Sequence, residues 1–248
     1  MKIKSFAITS LSVFGFAAAA LAGDYAAPSK GPVPIIVEDE ALGFEVGVGY
    51  DSKYVFRGVD FGDNSVWSSI DYSAPLTDSV DLSLGAWYET IADNGNSFEE
   101  LDLLAGISFA AGPVDIGLGV VWYYFPDDGS DALELGTSVG TSAGPVDFGA
   151  AVAYDFETEG WYAELSAEST IELTDSISLV PGVLVSYGDE YYGVSGFNNV
   201  GVSLALPIAL TDTATLTPYI AGSFALDALD DLGEDDHLYG GVSLSVSF

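Results

Sequence analysis

Leu101-Asp102-Leu103-Leu104-Ala105-Gly106-Ile107-Ser108-Phe109, a turn at Ala111-Gly112-Pro113, and then Val114-Asp115-Ile116-Gly117-Leu118-Gly119-Val120-Val121-Trp122-Tyr123-Tyr124 is the stretch whose reading decides the fold. Side chains alternate across a β-strand, so apolar residues at every second position mark a strand with one oily face. Leu101, Leu103, Ala105, Ile107 and Phe109 hold one parity before the turn. Val114, Ile116, Leu118, Val120, Trp122 and Tyr124 hold it afterwards, facing away from Asp115, Gly117 and Gly119. A Gly-Pro pair between two such runs is hairpin punctuation.

Outward from this hairpin the period persists. Phe44, Val46, Val48 and Tyr50 open the series, and Leu82, Leu84, Ala86 and Tyr88 repeat it. Twelve segments carry it, near 43–59, 65–74, 80–91, 98–109, 114–125, 132–142, 146–156, 161–172, 177–187, 199–208, 214–225 and 237–248. Several run about ten residues, the length a tilted strand needs to cross a bilayer. One set of connectors is tight, at 74–79, 111–113, 143–145, 173–176 and 210–213. The other set, at 60–64, 92–97, 126–131, 157–160, 188–198 and 226–236, is polar and mostly longer. Short turns at one end and longer loops at the other are what an outer-membrane barrel shows. Pro181 and Pro218 fall inside strands and each removes a ladder donor, for which bulges are the expected accommodation.

Composition narrows the class further. The 248 residues carry 38 Asp+Glu against 5 Lys+Arg, a formal net charge of −33, yet 49% are hydrophobic. Disordered acidic chains are poor in aromatics, whereas this one has 14 Tyr, 14 Phe and 4 Trp. Nucleic-acid binding needs a basic face and is excluded. No window after residue 22 offers the roughly 18 apolar residues of a membrane helix. The oily parity of strand interiors is almost free of charge, and its aromatics gather near strand ends. Phe44, Tyr72, Phe109, Phe148 and Phe248 lie beside the tight turns; Tyr50, Tyr88, Trp122, Tyr124, Tyr154, Phe156, Trp161 and Tyr187 lie toward the longer loops. Such paired girdles mark lipid contact. A soluble, ligand-holding barrel would turn its oily face inward and give its outer face mixed charge. The fold expected is therefore all-β, a transmembrane antiparallel up-and-down β-barrel of about 12 strands over residues 43–248.

Residues 1–22 read as a secretory signal peptide. Lys2 and Lys4 begin it, an apolar run from Phe6 to Ala20 follows, and Ala20-Leu21-Ala22 has the small-x-small cleavage pattern. From Gly23 onward the 38 acids face only three basic residues, a charge of −35. Residues 23–42 hold three prolines and no sustained alternation, a tail. Zero Cys is compatible with export without requiring it.

The chemistry is expected on the inward parity. Glu45, Asp51, Asp71, Asp81, Glu89, Glu100, Asp102, Asp115, Glu134, Asp147, Asp155, Glu164 and Glu168 lie there, separated by small residues such as Gly47, Gly49 and Gly85 that would leave space. Of these, Glu89, Glu100, Asp102, Glu134, Asp155, Glu164 and Glu168 are the expected pore-lining carboxylates, and acid-lined constrictions favour cations. Asp81, Asp115 and Asp147, next to the tight turns, are expected in water. Lys53 and Arg57 are the only basic residues after the tail and point inward if the first strand keeps its parity, with Tyr54 and Phe56 facing lipid. An inward Arg amid carboxylates should pair with them. No enzyme activity is expected. The single His, His237, has Tyr239 two residues on, where a barrel phospholipase needs a serine; a solvated histidine beside an acidic loop is the simpler reading. Asp127-Asp128-Gly129-Ser130-Asp131 departs from the calcium-loop pattern, so no metal site and no cofactor are expected.

Tyr54-Val55-Phe56-Arg57-Gly58, followed by a loop and Ser69-Ile70-Asp71-Tyr72, resembles the TorF-type family of outer-membrane porins. Leu84-Gly85-Ala86-Trp87-Tyr88 and Val121-Trp122-Tyr123-Tyr124-Phe125-Pro126 are similar to that family too, so the motifs span residues 44–126. Members often carry Ser-Gln where Asp60-Phe61 stand here. The resemblance implies a barrel porin and adds little about its solute. The expected function is passive diffusion of small hydrophilic solutes across the outer membrane, with cations preferred; a barrel with a filled lumen and a structural or loop-binding role is the alternative. Outer-membrane lipid and small solutes or cations are the expected partners.

Overall fold

The computed structural model describes residues 42–93 and 96–248. The expected leader, and the tail apart from Leu42, lie outside these residues. β1 (Phe44–Phe56), β2 (Val59–Thr77), β3 (Val80–Asp93), β4 (Asn96–Ala111), β5 (Val114–Phe125), β6 (Ser130–Ala143), β7 (Val146–Asp155) and β8 (Gly160–Glu168) come first. β9 (Ile171–Thr174), β10 (Ile177–Asp189), β11 (Ser195–Ala205), β12 (Ile208–Ala209), β13 (Ala214–Ala225) and β14 (His237–Ser247) follow, with the short helix α1 (Asp227–Leu232) between the last two. β8 and β9 line up along β10 as one pass, and β11 and β12 along β13 as another, which makes twelve passes. β14 pairs with β1 from Glu45↔Ser247 to Asp51↔Gly241, and the antiparallel ring closes. Closure removes the free edge on which an open sheet would aggregate, and it satisfies the backbone without water.

The two interrupted passes have one cause. Pro181 lies in β10 opposite the gap between β8 and β9, and Pro218 lies in β13 opposite the gap between β11 and β12. A proline cannot donate, so the neighbouring strand breaks there and the proline carbonyl takes what donors remain. Ser169 N–H donates to Pro181 O at 3.2 Å, and Leu206 N–H to Pro218 O at 3.0 Å. The expected bulges do not form at either proline; the partner strand breaks instead.

Apolar side chains point out of the ring. Leu103, Leu118, Leu135, Val152 and Leu165, one from each of five neighbouring strands, are all exposed. A continuous exposed apolar belt is stable only against lipid. Aromatics bound it at both ends: Phe44 and Tyr72 meet with ring centroids 4.7 Å apart near the tight turns, and Tyr154 and Trp161 at 4.8 Å at the other end.

The connectors differ less between the two ends than expected. β2 begins at Val59, so 60–64 is strand rather than loop, and β10 runs through Asp189. Backbone pairing continues beyond the apolar belt because a paired strand satisfies its own polar groups in water as well as in lipid. The stretch 226–236 remains the long exception, and it contains α1, whose Ala228 and Leu229 are buried.

Substitution of Leu165 by Arg at mid-depth on the lipid face should cost about 2–4 kcal/mol against wild type when the barrel is unfolded from lipid vesicles by urea, and Leu165→Ala far less. An equal cost for both would mean that this face does not meet lipid.

Candidate lumen constriction

β1 and β2 are joined by only two residues, Arg57 and Gly58, with φ of 48° and 90°. Such a tight turn favours glycine at its positive-φ positions. A Cβ on Gly58 would also stand 2.5 Å from Leu229 Cδ1, so α1 seats directly on the turn. Just before the turn the register slips between Tyr54 and Val55. Pairing runs Lys53↔Asp63, Tyr54↔Gly62, then Val55↔Asp60, which leaves Phe61 as the extra residue.

The burial of this hairpin tip corrects the sequence-based expectation for the motif. Tyr54 and Phe56 do not face lipid; they are buried with Ile91, Val121, Tyr123, Tyr162 and Tyr191 in one cluster. Val55, which points the other way, is buried with Val180, Ala205, Tyr219, Ala221 and Tyr239 in a second. A strand in the wall of a barrel has one face in lipid. A hairpin with both faces buried has stepped inside, and its tip is clasped by strands from around the ring.

Arg57 completes the clasp. Its guanidinium donates to Glu134 of β6 twice, Nη1 to Oε1 at 2.6 Å and Nη2 to Oε2 at 2.9 Å. Its Cζ lies 4.2 Å from the Tyr162 ring centroid, 4.7 Å from Tyr191 and 5.0 Å from Phe56. Twelve strands at their usual spacing and tilt make a ring about 24 Å across, more than two wall side chains can span. Only a hairpin displaced inward brings Arg57 to Glu134. Tyr123 donates to Glu134 Oε2 at 3.2 Å and Tyr191 donates to Oε1, so the carboxylate is fully engaged. Burial pushes the Tyr191 and Tyr192 hydroxyls above the ordinary tyrosine range, which keeps them donors. Tyr192 donates to the Phe56 carbonyl at 3.1 Å, and the Asn198 amide to the Arg57 carbonyl.

The other expected lining residues fall into three groups. Glu89, Glu100, Asp102 and Asp155 are buried around the same level. Glu89 stands opposite Glu100, Asp102 opposite Tyr123, and Glu134 opposite Asp155 in the register. Glu100 accepts from Tyr54 at 2.9 Å, and Asp155 accepts from Thr158 N–H at 2.6 Å at the β7–β8 turn. Glu164 is half-buried, taking the Tyr162 hydroxyl at 3.2 Å. Glu168 lies apart at the tight-turn end, opposite Asp147. Lys53 is also apart, held by Asp60 at 2.6 Å and Asp63 at 2.8 Å. His237 is not simply solvated: its side chain is only 11% exposed, between Asp60 at 3.6 Å and Glu234 at 3.3 Å.

Two small inward residues leave less space than expected, because the Trp67 indole lies over Gly47 and Gly49. Trp67 is aimed there by its bond to Asp51, 2.8 Å from Nε1 to Oδ2, and Tyr219 holds the other oxygen at 2.7 Å. Sequence reading missed Tyr191, Tyr192, Asn198 and Leu229 as parts of this assembly. The available signal was chemical mismatch: Tyr191-Tyr192 follow Asp189-Glu190 in a polar connector, and Ala228-Leu229 sit inside an acidic run.

A closed antiparallel barrel with an oily outer face and a polar interior defines an outer-membrane barrel. The chain belongs to the Gcw_chp family of bacterial proteins of unknown function, whose model matches residues 38–183. Among curated proteins none matches it in sequence. Its fold is similar to that of an outer-membrane channel from Pseudomonas putida F1, at 12% identity and a TM-score of 0.56, over 91% of this chain and 98% of that one. It is similar also to the KdgM porin solved with disordered oligogalacturonate, at 7% identity and a TM-score of 0.54, over 82% and 99%. The NanC porin aligns at 10% identity and a TM-score of 0.51, over 83% and 98%.

Arg57→Ala strands the Glu134 carboxylate and should destabilise the folded barrel by about 3–5 kcal/mol in urea unfolding. Arg57→Lys should recover little of it, since an ammonium cannot make the paired bonds or stack on the rings. Full recovery by lysine would reduce the clasp to a simple charge effect.

Proposed function

We propose that the protein is an outer-membrane porin through which small hydrophilic solutes diffuse passively, with cations preferred. The observation that carries this reading is the charge of the interior. Asp51, Glu89, Glu100, Asp102, Glu134 and Asp155 are all buried inside the ring, and Arg57 is the one buried basic side chain among the described residues. Arg57 is paired with Glu134 and is outnumbered by the carboxyls around it, which give the constriction a negative potential that raises local cation concentration. Glu164 and Glu168 extend this lining toward the tight turns, and Lys53 moderates it at the hairpin. The fold shared with porins supports the channel, and the Tyr54–Gly58 motif supports membership of the TorF-type group within the wider family. A cleaved signal peptide over 1–22 would deliver the chain to the outer membrane. No catalysis is part of this reading: His237 is engaged by two carboxylates, and no cofactor or metal is called for.

One observation favours the alternative. A hairpin tip seated across the interior is what a filled barrel with a structural role would contain. Planar-bilayer recording under a salt gradient separates the two. Steady conductance with a cation-selective reversal potential is expected, and Glu100→Gln with Asp102→Asn should move that potential toward zero. Silence from correctly folded protein, judged by the usual mobility shift between unheated and heated samples, would leave the filled barrel; conductance with unchanged selectivity would remove these two carboxylates from the lining.

A further inference from the structure

The inserted hairpin does not pack flush against the wall on its Tyr54–Phe56 side. A cavity of about 280 Å³ remains between it and strands β4 to β7. Tyr123, Tyr191 and Phe56 form its deeper, buried part, and Phe61, Phe125 and Tyr192 flank it. Its mouth is formed by exposed residues, Ser130 and Asp131 at the start of β6 on one side and Glu157 and Thr158 of the β7–β8 connector on the other, so it opens at the longer-loop end. Four carboxyl groups line it, Glu100, Asp131, Asp155 and Glu157, and no lysine or arginine does.

We infer that this cavity is a binding site for a small organic cation, an ammonium group carrying apolar substituents. The inference rests on the proposed cation preference and names the class of solute that would be held at the constriction. Ring faces carry negative charge density and attract cations, most strongly where water is excluded. Carboxylates at floor and mouth act in the same direction. The apolar walls add what a bare metal ion cannot use, because such an ion would lose hydration and gain no packing. An anion is opposed by every charged group in the lining. A neutral sugar would gain stacking alone, with no return from the four carboxyls. The volume lies at the lower edge of the range for ligand cavities, about 300–1,000 Å³, which suits a compact ligand.

The Phe61 position gives the site its individuality. It is the extra residue of the register slip, and it packs 5.5 Å from both Tyr54 and Phe98 between ring centroids. Without the slip its side chain would not be turned onto the hairpin's inner side. Glu157 contributes from the opposite rim as an exposed charge in a turn, where its replacement leaves the packing of the barrel untouched.

Isothermal titration of the full chain, folded in detergent micelles, with tetraethylammonium chloride tests the inference. Saturable binding is expected, with no binding of glucose or acetate under the same conditions. Phe61→Ala and Glu157→Gln should each weaken it by about five-fold, with the heat-dependent mobility shift retained. Absence of saturable binding, equal binding of glucose, or an unchanged affinity in folded Glu157→Gln protein would overturn the proposal. Conductance recorded on the same preparation keeps the two readings apart: binding by a silent barrel removes the porin and leaves this site, whereas conductance without binding removes this site alone.

Discussion

The interior of this barrel depends on one ion pair, Arg57 with Glu134. A buried guanidinium is tolerable only when its charge is matched and its N–H groups are directed at acceptors. Here two bonds of 2.6 and 2.9 Å do the matching, and three aromatic rings exclude water from the pair. The wall needs no such help, because ring closure satisfies its backbone strand by strand. What the wall does not dictate is the content of the lumen. A hairpin tip would otherwise stay in water above the membrane, where its turn is equally well solvated.

The surrounding parts follow from holding that tip in place. Its backbone carbonyls at Phe56 and Arg57 need donors once inside, and Tyr192 and Asn198 supply them. Gly58 leaves a gap that Leu229 fills, which draws α1 down onto the turn. Glu134 has capacity beyond the guanidinium, and two tyrosine hydroxyls take it up. Each contact satisfies a group that burial would otherwise penalise, so the assembly is cooperative by construction. The remaining carboxyls around it have no second guanidinium to meet. That imbalance, set against an uncharged outer belt, is the physical basis for reading the interior as a cation path.

The resemblance carried by Tyr54-Val55-Phe56-Arg57-Gly58 takes on a structural meaning in this light. The motif is a device for entering the lumen: two aromatic residues on one face, an apolar residue on the other, a charge for the far wall and a glycine for the turn. Its departure from the family pattern is also placed. Asp60 anchors Lys53 and faces His237, while Phe61 occupies the slip and sets its ring against Tyr54, Phe56 and Phe98. These two positions shape the cavity and the charge beside the hairpin.

Alternation along the chain was sufficient to determine the barrel, its twelve passes, the oily outer face and the girdles, because a period of two is a local property and each strand reports it independently. The same periodicity placed Glu89, Glu100, Asp102, Glu134 and Asp155 on the inward parity. It failed at Tyr54 and Phe56, which keep the outward parity of β1 but lie where the hairpin has turned into the lumen and both of its faces are buried; a strand leaving the wall puts no mark on its own alternation. It also failed at the two prolines, since the adjustment fell on their neighbours. Tyr191, Tyr192, Asn198 and Leu229 were beyond its reach for a further reason. They lie in or beside connectors, and they acquire a role only when the ring brings them within reach of a hairpin some 130 to 170 residues earlier in the chain. Local period decides which way a side chain points. What it meets across a lumen is decided by closure.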